Sequence, residues 1–102
     1  MRKKLRARWF VYLVRCSDRT LYCGATNNLK RRIAAHNSGA GARYTRARRP
    51  VVLVWSKRCG SQSQACKAEY ATKLLTRANK DRLVAAWRSK DRSSQSGRKG
   101  KG

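Results

Sequence analysis

The sequence predicts a small α+β domain, in which a three-stranded antiparallel or mixed sheet is flanked by helices in the order β-β-α-β-α-α. Two runs of β-branched and aromatic residues flank a short turn, and a third such run follows a long basic loop. Helical patterns follow the second and third runs. With 102 residues the chain can form one domain with a modest core, and a sheet covered by helices is the arrangement that fits this order.

A β-hairpin opens the predicted domain. "WFVYLVRC" at 9–16 and "TLYCGA" at 20–25 are the two strands, and the residues between them are typical of a turn. Side chains alternate between the two faces of a strand, so a three-residue loop at 17–19 would place Tyr12 and Tyr22 on the same face. The same register would separate Cys16 from Cys23.

A short helix follows the hairpin. Asn27 or Asn28 is a suitable N-cap, and the helix is expected to end at about His36 or Asn37. Gly39 then occupies the position where a left-handed residue commonly ends a helix.

The second half of the domain is predicted to contain one strand and two helices. After a loop at 38–50, "VVLVWS" forms the third strand, and Ser61 with Gln64 fits a capping box. The apolar face of the helix that starts there is expected to contain Cys66, Tyr70 and Leu74. Thr76 is expected to cap the last helix, whose apolar stripe would be Leu83, Val84 and Trp87.

Composition sets the limits of the predicted domain, which we place at 9–88. Residues 1–8 are basic and are expected to form a flexible arm. Residues 89–102 consist largely of Ser, Lys, Arg and Gly, a composition typical of a disordered basic tail.

The charge of the chain indicates a polyanionic partner. Lys and Arg number 27 against 4 acidic residues, which gives a formal net charge of +23. Such a charge costs stability by self-repulsion and favours nucleic acid or, as a second candidate, an anionic membrane surface. The sequence has neither an apolar run long enough to span a bilayer nor a secretory signal. We therefore expect a cytoplasmic protein that associates with the nucleoid through DNA binding, with reduced cysteines.

The four cysteines do not form a convincing metal motif. They occur twice at a C-x6-C spacing, whereas zinc-binding pairs normally have two to four intervening residues. Placing Cys16 and Cys23 on opposite faces would also prevent a shared metal or a disulfide.

Glu69 is the only glutamate and lies in the middle of a predicted helix. One interpretation is a salt bridge to Lys73, four residues later. The other is a ligand for Mg²⁺, which needs only one or two protein carboxylates when water and a substrate phosphate complete its shell. The pattern alone leaves both open.

Arg32 and His36 are four residues apart and share one face of the first predicted helix. A lone histidine beside an apolar stripe is commonly structural. The functional interpretation combines a guanidinium that can hold a phosphate with an imidazole that can move protons near neutral pH.

Four segments resemble a known family. "VYLV", followed ten residues after its tyrosine by "YCG", resembles the paired motif of the GIY-YIG nucleases. "LKRRIAAHNSGAGARYTRARRP" and "QACKAEYATK" are similar to the segments that follow in its small stand-alone bacterial members, which are related to the nuclease domain of structure-specific resolvases. The resemblance covers residues 9–87, with departures at Phe10, Val11 and Cys23.

The resemblance implies a divalent-metal-dependent DNA endonuclease that leaves a 5′ phosphate and a 3′ hydroxyl, in DNA repair or recombination. Tyr12 and Tyr22 match the motif tyrosines, Arg32 the catalytic arginine, His36 a histidine of this branch, and Glu69 the ligand of Mg²⁺ or Mn²⁺. Either Tyr12 or His36 could be the general base, because an unperturbed tyrosine is a poor base at neutral pH.

The remaining basic and polar residues near this helix and the following loop are expected to contact DNA. They are Lys30, Arg31, Arg43, Tyr44, Thr45, Arg46, Arg48, Arg49 and Lys73. A non-catalytic nucleic-acid-binding module would explain the charge and the basic loop, but not Glu69, Arg32, His36 and two tyrosines together. A membrane-surface protein would need a basic helix with a broad apolar face, which the sequence lacks.

Overall fold

The elements occur in the predicted order, with one additional helical turn. The structure, a computed structural model, describes residues 8–100 and the side chains of 8–89. Its elements are β1 (Trp9–Arg15), β2 (Leu21–Thr26), α1 (Leu29–Ser38), α2 (Arg43–Arg46), β3 (Val52–Cys59), α3 (Gln62–Lys73) and α4 (Arg77–Gly100). The loop expected at 38–50 contains α2, a single turn that the sequence pattern did not indicate. No helix in the described range is long and apolar enough to cross a membrane.

The hairpin has the three-residue loop that was predicted. The backbone N–H of Cys16 donates to the carbonyl of Thr20 at 2.8 Å, and Arg19, the last loop residue, has a φ of 71°. A left-handed third residue is characteristic of three-residue hairpin loops. The register places Tyr22 opposite Val14, so Tyr12 and Tyr22 share a face as expected.

The sheet is antiparallel, with β1 in the centre of the order β2-β1-β3. The pairing of β1 with β3 shifts between Leu13 and Val14, which leaves Val54 as an extra residue. Such a bulge allows neighbouring side chains to enter the same layer. Val54 and Trp55 are accordingly both buried in one core.

Two hydrophobic cores lie on opposite faces of this sheet. Between the sheet and helices α3 and α4 are Val11, Leu13, Cys23, Val54, Trp55 and Val84. Between the sheet and α1 are Tyr12, Val14, Cys16 and Val51, with Leu29 and Ile33 packed against them. Cys16 and Cys23 therefore lie on opposite faces, as the register predicted.

The ends of α1 are set by local chemistry. The Asn28 side chain accepts a hydrogen bond from the N–H of Arg31, so Asn28 is the N-cap. Gly39 ends the helix with a φ of 92°, in the left-handed region, as expected. This reversal turns the chain back across the end of α1.

The predicted apolar face of α3 is wrong. Tyr70 and Leu74 are 69% and 68% exposed, and Cys66 is exposed too. The helix instead buries Ala65 and Thr72. Small side chains allow the helix to approach the sheet closely, so the larger ones are directed outwards. Ser61 is the N-cap, as predicted, and accepts a hydrogen bond from Gln64.

Helix α4 begins as expected and continues further. The Thr76 hydroxyl accepts a hydrogen bond from Asn79 N–H at 3.1 Å, and Val84 is buried with Leu83 and Trp87 against it. The backbone remains helical to Gly100, whereas the composition predicts disorder from residue 89. The stretch contains no proline, the residue that would interrupt the backbone hydrogen bonds of the helix. Residues 1–7, which include most of the predicted flexible arm, and residues 101–102 lie outside the described residues.

Candidate active site

A tyrosine from the central strand and the only histidine of the chain form a buried pair. Tyr12 and His36 are both fully buried, and the Tyr12 Oη atom lies 2.8 Å from His36 Nε2. Tyr12 reaches His36 across β2 at Gly24, its register partner. A Cβ atom at position 24 would lie 2.5 Å from Tyr12 Oη, so only glycine leaves room for the tyrosine there.

Burial fixes the direction of the Tyr12–His36 hydrogen bond. A buried hydroxyl without an acceptor costs about 1–3 kcal/mol. Among the hydrogen bonds of the described side chains, Tyr12 Oη has two partners, His36 Nε2 and the Nε of Arg32, and the arginine can only donate. Tyr12 O–H therefore donates to His36 Nε2.

The electrostatics keep both members of the pair neutral near pH 7. Burial, and secondarily the positive charge of Arg32, lowers the pKa of His36. Burial raises the pKa of Tyr12, and the hydrogen bond from Arg32 partly opposes this. His36 is therefore unprotonated and available as a proton acceptor at neutral pH, but Tyr12 does not ionise without help.

Acidification below about pH 6.5 is expected to destabilise the fold through His36. In the unfolded chain the histidine takes up a proton near its ordinary pKa of about 6.5. In the folded chain its pKa is lower, so between these values the unfolded state binds more protons and the free energy of unfolding falls as the pH falls. Thermal unfolding at about pH 7.5 and pH 5 should show a larger loss of Tm for the wild type than for His36→Gln, which lacks this titration. Equal losses would contradict the assignment.

The cations of α1 differ in orientation as the helix geometry predicts. Arg32 is half-buried, and its Nε–H donates to Tyr12 Oη at 3.5 Å, the outer limit for such a bond. Lys30 and Arg31 are exposed. Arg32 is thus the one guanidinium of this helix that reaches the tyrosine–histidine pair.

The loop after α1 covers the other side of the imidazole. The Thr45 hydroxyl lies 2.8 Å from His36 Nδ1, and Thr45 is fully buried. The sequence grouped Thr45 with the DNA contacts, but its burial leaves the hydroxyl no access to a phosphate. A Cβ atom at Gly41 would lie 2.5 Å from His36 Nδ1, so a glycine is required for this close approach.

Aromatic contacts connect the hairpin to the loop. The Tyr22 ring meets His36 edge-on at 5.4 Å between centroids and stacks with Tyr44 at 5.9 Å. The Arg48 guanidinium lies 3.9 Å from the Tyr44 ring centroid and forms a 3.0 Å ion pair with Asp18. These contacts hold the loop over the histidine.

The arginines of the loop fall into two groups. Arg43 and Arg46 are exposed on α2. Arg48 bonds to Asp18 and to the carbonyl of Tyr44, and Arg49 donates to the carbonyl of Arg46 at 2.9 Å. Arg48 and Arg49 thus support the loop, whereas Arg43 and Arg46 are directed towards solvent.

Glu69 lies on α3, the helix on the opposite face of the sheet from α1. Its carboxylate forms a 3.0 Å salt bridge with Lys73, as one of the two interpretations of the sequence predicted. Lys73 and Tyr22 both line a cavity of about 290 Å³ along the edge of β2. Glu69 does not line the cavity itself and is connected to this edge through its salt bridge with Lys73.

The donor set at Glu69 suits a hard cation with a largely aqueous shell. Within the described residues no group of three or more His, Cys, Asp or Glu side chains could enclose a metal. Burial, together with the nearby Glu69 charge, raises the pKa of Cys23 to about 11, so this neighbouring thiol is protonated. One carboxylate fits Mg²⁺ or Mn²⁺ when water and phosphate complete the shell.

The fold and this group of side chains define a small α+β domain with a basic surface. The chain belongs to the GIY-YIG family, since the model of the GIY-YIG catalytic domain matches residues 8–82. The resemblance recognised in the sequence is thereby confirmed. GIY-YIG domains are nuclease domains that typically use divalent metal ions, so membership points to a nuclease acting on nucleic acid.

Relatives share most of the domain. A UPF0213 protein of Desulfotalea psychrophila is 56% identical over 82 residues, which cover 79% of this chain and 74% of the relative. The solution NMR structure of a UPF0213 protein from Bacillus halodurans is 40% identical with a TM-score of 0.50, covering 78% of this chain and 84% of that one. That of a protein from E. faecalis is 36% identical with a TM-score of 0.54, covering 79% and 86%.

Proposed function

We propose that the protein is a divalent-metal-dependent DNA endonuclease that leaves a 5′ phosphate and a 3′ hydroxyl. The observation that carries the proposal is the buried Tyr12–His36 hydrogen bond beside Arg32, within a GIY-YIG domain. The net charge of +23 supports a nucleic-acid substrate. We place the activity in the cytoplasm, at the nucleoid, and in DNA repair or recombination.

Tyr12 and His36 act together as the base. Tyr12 alone is a poor base because burial raises its pKa, and His36 is fully buried behind it. Because Tyr12 is fully buried in the free protein, the binding of DNA has to open the site for the attacking water. As Tyr12 Oη takes a proton from that water, its own proton moves to His36 Nε2. The water oxygen forms the new bond to phosphorus, the bond from phosphorus to the 3′ oxygen breaks, and solvent protonates the leaving oxygen. Either residue acting alone would have to overcome its unfavourable environment.

Arg32 stabilises the charge that develops on the phosphate. Its Nε bonds to Tyr12, which leaves the two terminal nitrogens of the guanidinium to face the non-bridging oxygens. Tyr22 packs against His36 and Tyr44 and helps to orient the attacking water. Its side chain also lines the cavity that Lys73 borders.

Glu69 would hold Mg²⁺ or Mn²⁺. A bound cation of this kind supplies positive charge to a phosphate oxygen and to the leaving oxygen. The salt bridge with Lys73 must open for the carboxylate to act as a ligand, and the released ammonium becomes available to the DNA backbone. Because the pair is partly exposed, opening it costs little, about 0–1 kcal/mol.

A cleavage assay tests the proposal. Duplex, single-stranded, flap and branched DNA should be incubated with the purified chain in Mg²⁺, Mn²⁺ or EDTA. We expect metal-dependent cleavage of at least one substrate, with products that ligase can join after annealing because they carry 5′ phosphates. Tight binding without turnover on all four would contradict an enzyme and favour a non-catalytic binding module.

Removing Arg43 and Arg46 is expected to weaken DNA binding equally across sequences. Both are exposed on α2, the helical turn whose Thr45 contacts His36. Each lost phosphate contact lowers the log–log salt slope by about 0.9 on duplex DNA. Binding isotherms over a salt series should show this for Arg43→Ala and Arg46→Ala. Arg88→Ala on α4 removes the same charge on the other side of the sheet, and an equal change in slope there would contradict a specific contact surface.

A further inference from the structure

We infer that Thr45 is a positioning residue that fixes the tautomer of His36, keeping the proton on Nδ1 and leaving Nε2 free to accept from Tyr12. The inference rests on the proposed function and goes beyond it, because it assigns a role to a residue in the loop that makes no contact with the reacting atoms. It also explains why this basic loop contains a buried threonine.

Only one placement of protons satisfies all the polar atoms in this chain of contacts. Tyr12 O–H must donate to Nε2, since the other partner of the hydroxyl, Arg32, is a donor. A neutral imidazole carries one proton, so that proton is on Nδ1. Nδ1–H then donates to Thr45 Oγ1 across 2.8 Å, and the Thr45 hydroxyl donates to the carbonyl of Ala42 at 3.0 Å.

The reverse placement leaves a buried donor unpaired. If Nε2 carried the proton, it would donate to Tyr12 Oη, and the hydroxyl proton of Tyr12 would have no acceptor within the described side chains. A buried donor without an acceptor is unfavourable, so the free protein avoids this placement. It would also prevent His36 from acting as part of the base, because Nε2 could no longer accept a proton.

The loop is built to keep the threonine in contact with the imidazole. Gly41 lies so close that a side chain there would overlap His36. The Ala42 carbonyl also accepts from the N–H groups of Thr45 and Arg46, at 3.2 and 3.1 Å. The acceptor of the Thr45 hydroxyl is therefore part of the backbone of α2 and cannot rotate away.

Thr45→Val tests the inference because valine keeps the shape and removes the acceptor. Without Oγ1, an Nδ1–H would be buried and unpaired, so we expect the proton to move to Nε2. Thr45→Ser restores a hydroxyl. The matched control is Thr72→Val, since Thr72 is also buried and its hydroxyl donates to a backbone carbonyl, that of Ala68, on the other face of the sheet.

His36 is the only histidine in the chain, so the tautomer can be read directly. Imidazole ¹⁵N NMR of the full chain, prepared without a histidine tag, distinguishes a protonated from an unprotonated ring nitrogen. We expect protonated Nδ1 in the wild type, Thr45→Ser and Thr72→Val, and protonated Nε2 in Thr45→Val. Protonated Nδ1 in Thr45→Val, with a far-UV circular dichroism spectrum like that of the wild type, would overturn the inference.

Single-turnover cleavage at saturating enzyme gives the second readout. We expect the single-turnover rate of Thr45→Val to fall by about 10²–10⁴-fold, the range of a general base. DNA affinity should be unchanged, and Thr45→Ser should recover the rate. A changed tautomer with an unchanged rate would overturn Thr45 as a positioning residue. If the wild type cleaves no DNA, the proposed function fails, but the NMR comparison still decides whether Thr45 sets the tautomer.

Discussion

Replacing Glu69 with glutamine is expected to abolish cleavage and to leave DNA binding unchanged or stronger. A cation held by this carboxylate would supply several kcal/mol of charge stabilisation. Since each 1.36 kcal/mol changes a rate tenfold, we expect a loss of about 10³-fold or more. Binding should not weaken, because the substitution removes a negative charge near the phosphates. Single-turnover rates and binding isotherms on the same DNA, with Mn²⁺ affinity measured in parallel, check both parts.

Asp81→Asn provides the matched control. Asp81 forms a 2.9 Å ion pair with Arg77 at the same four-residue spacing as Glu69 and Lys73. Both substitutions therefore break one helical salt bridge, whose contribution to stability is small. We expect Asp81→Asn to retain wild-type cleavage. If Glu69→Gln also cleaves like the wild type in Mg²⁺, Glu69 has no part in the mechanism, and its salt bridge with Lys73 is its whole role.

The sequence predicts well those parts of the site that depend on local periodicity. Alternation along the two strands and a three-residue loop suffice to place Tyr12 and Tyr22 together. The helix repeat suffices to separate Arg32 from Arg31, because consecutive residues differ by about 100°. The two ends of α1 are also local features, since Asn28 caps its start through its side chain and Gly39 ends it through its backbone freedom. None of these features depends on distant contacts.

The features that the sequence did not predict depend on how the helices, strands and loops pack against one another. The inner face of α3 is made of Ala65, Ala68 and Thr72, because close approach to the sheet selects small side chains. A pattern based on hydrophobicity instead selects Tyr70 and Leu74, which are exposed. In the sequence Thr45 cannot be distinguished from any other polar loop residue. It becomes buried against His36 only because the chain reverses at Gly39. Its burial is a tertiary effect for which the local sequence carries no signal.

Arg32→Lys is expected to slow the chemical step about 10²-fold with little change in DNA binding. The Arg32 guanidinium has two tasks in this site, since Nε bonds to Tyr12 Oη and the terminal nitrogens remain for the phosphate. Lysine keeps the positive charge but has a single ammonium group and no planar fork, so it cannot do both. Loss of the bond to Tyr12 also removes a contact that lowers the pKa of its hydroxyl.

Arg31→Lys is the control on the neighbouring residue, and we expect it to be nearly silent. Arg31 is exposed and lies about 100° round the helix from Arg32. At most it contacts the DNA backbone, which lysine does equally well as a point charge. Single-turnover rates at saturating enzyme, with circular dichroism to verify folding, compare the pair. A slow Arg31→Lys beside a normal Arg32→Lys would mean that the helix turns a different arginine towards the phosphate. If both variants cleave at the wild-type rate, no guanidinium of α1 stabilises the transition state, and the helix contributes only its positive charge.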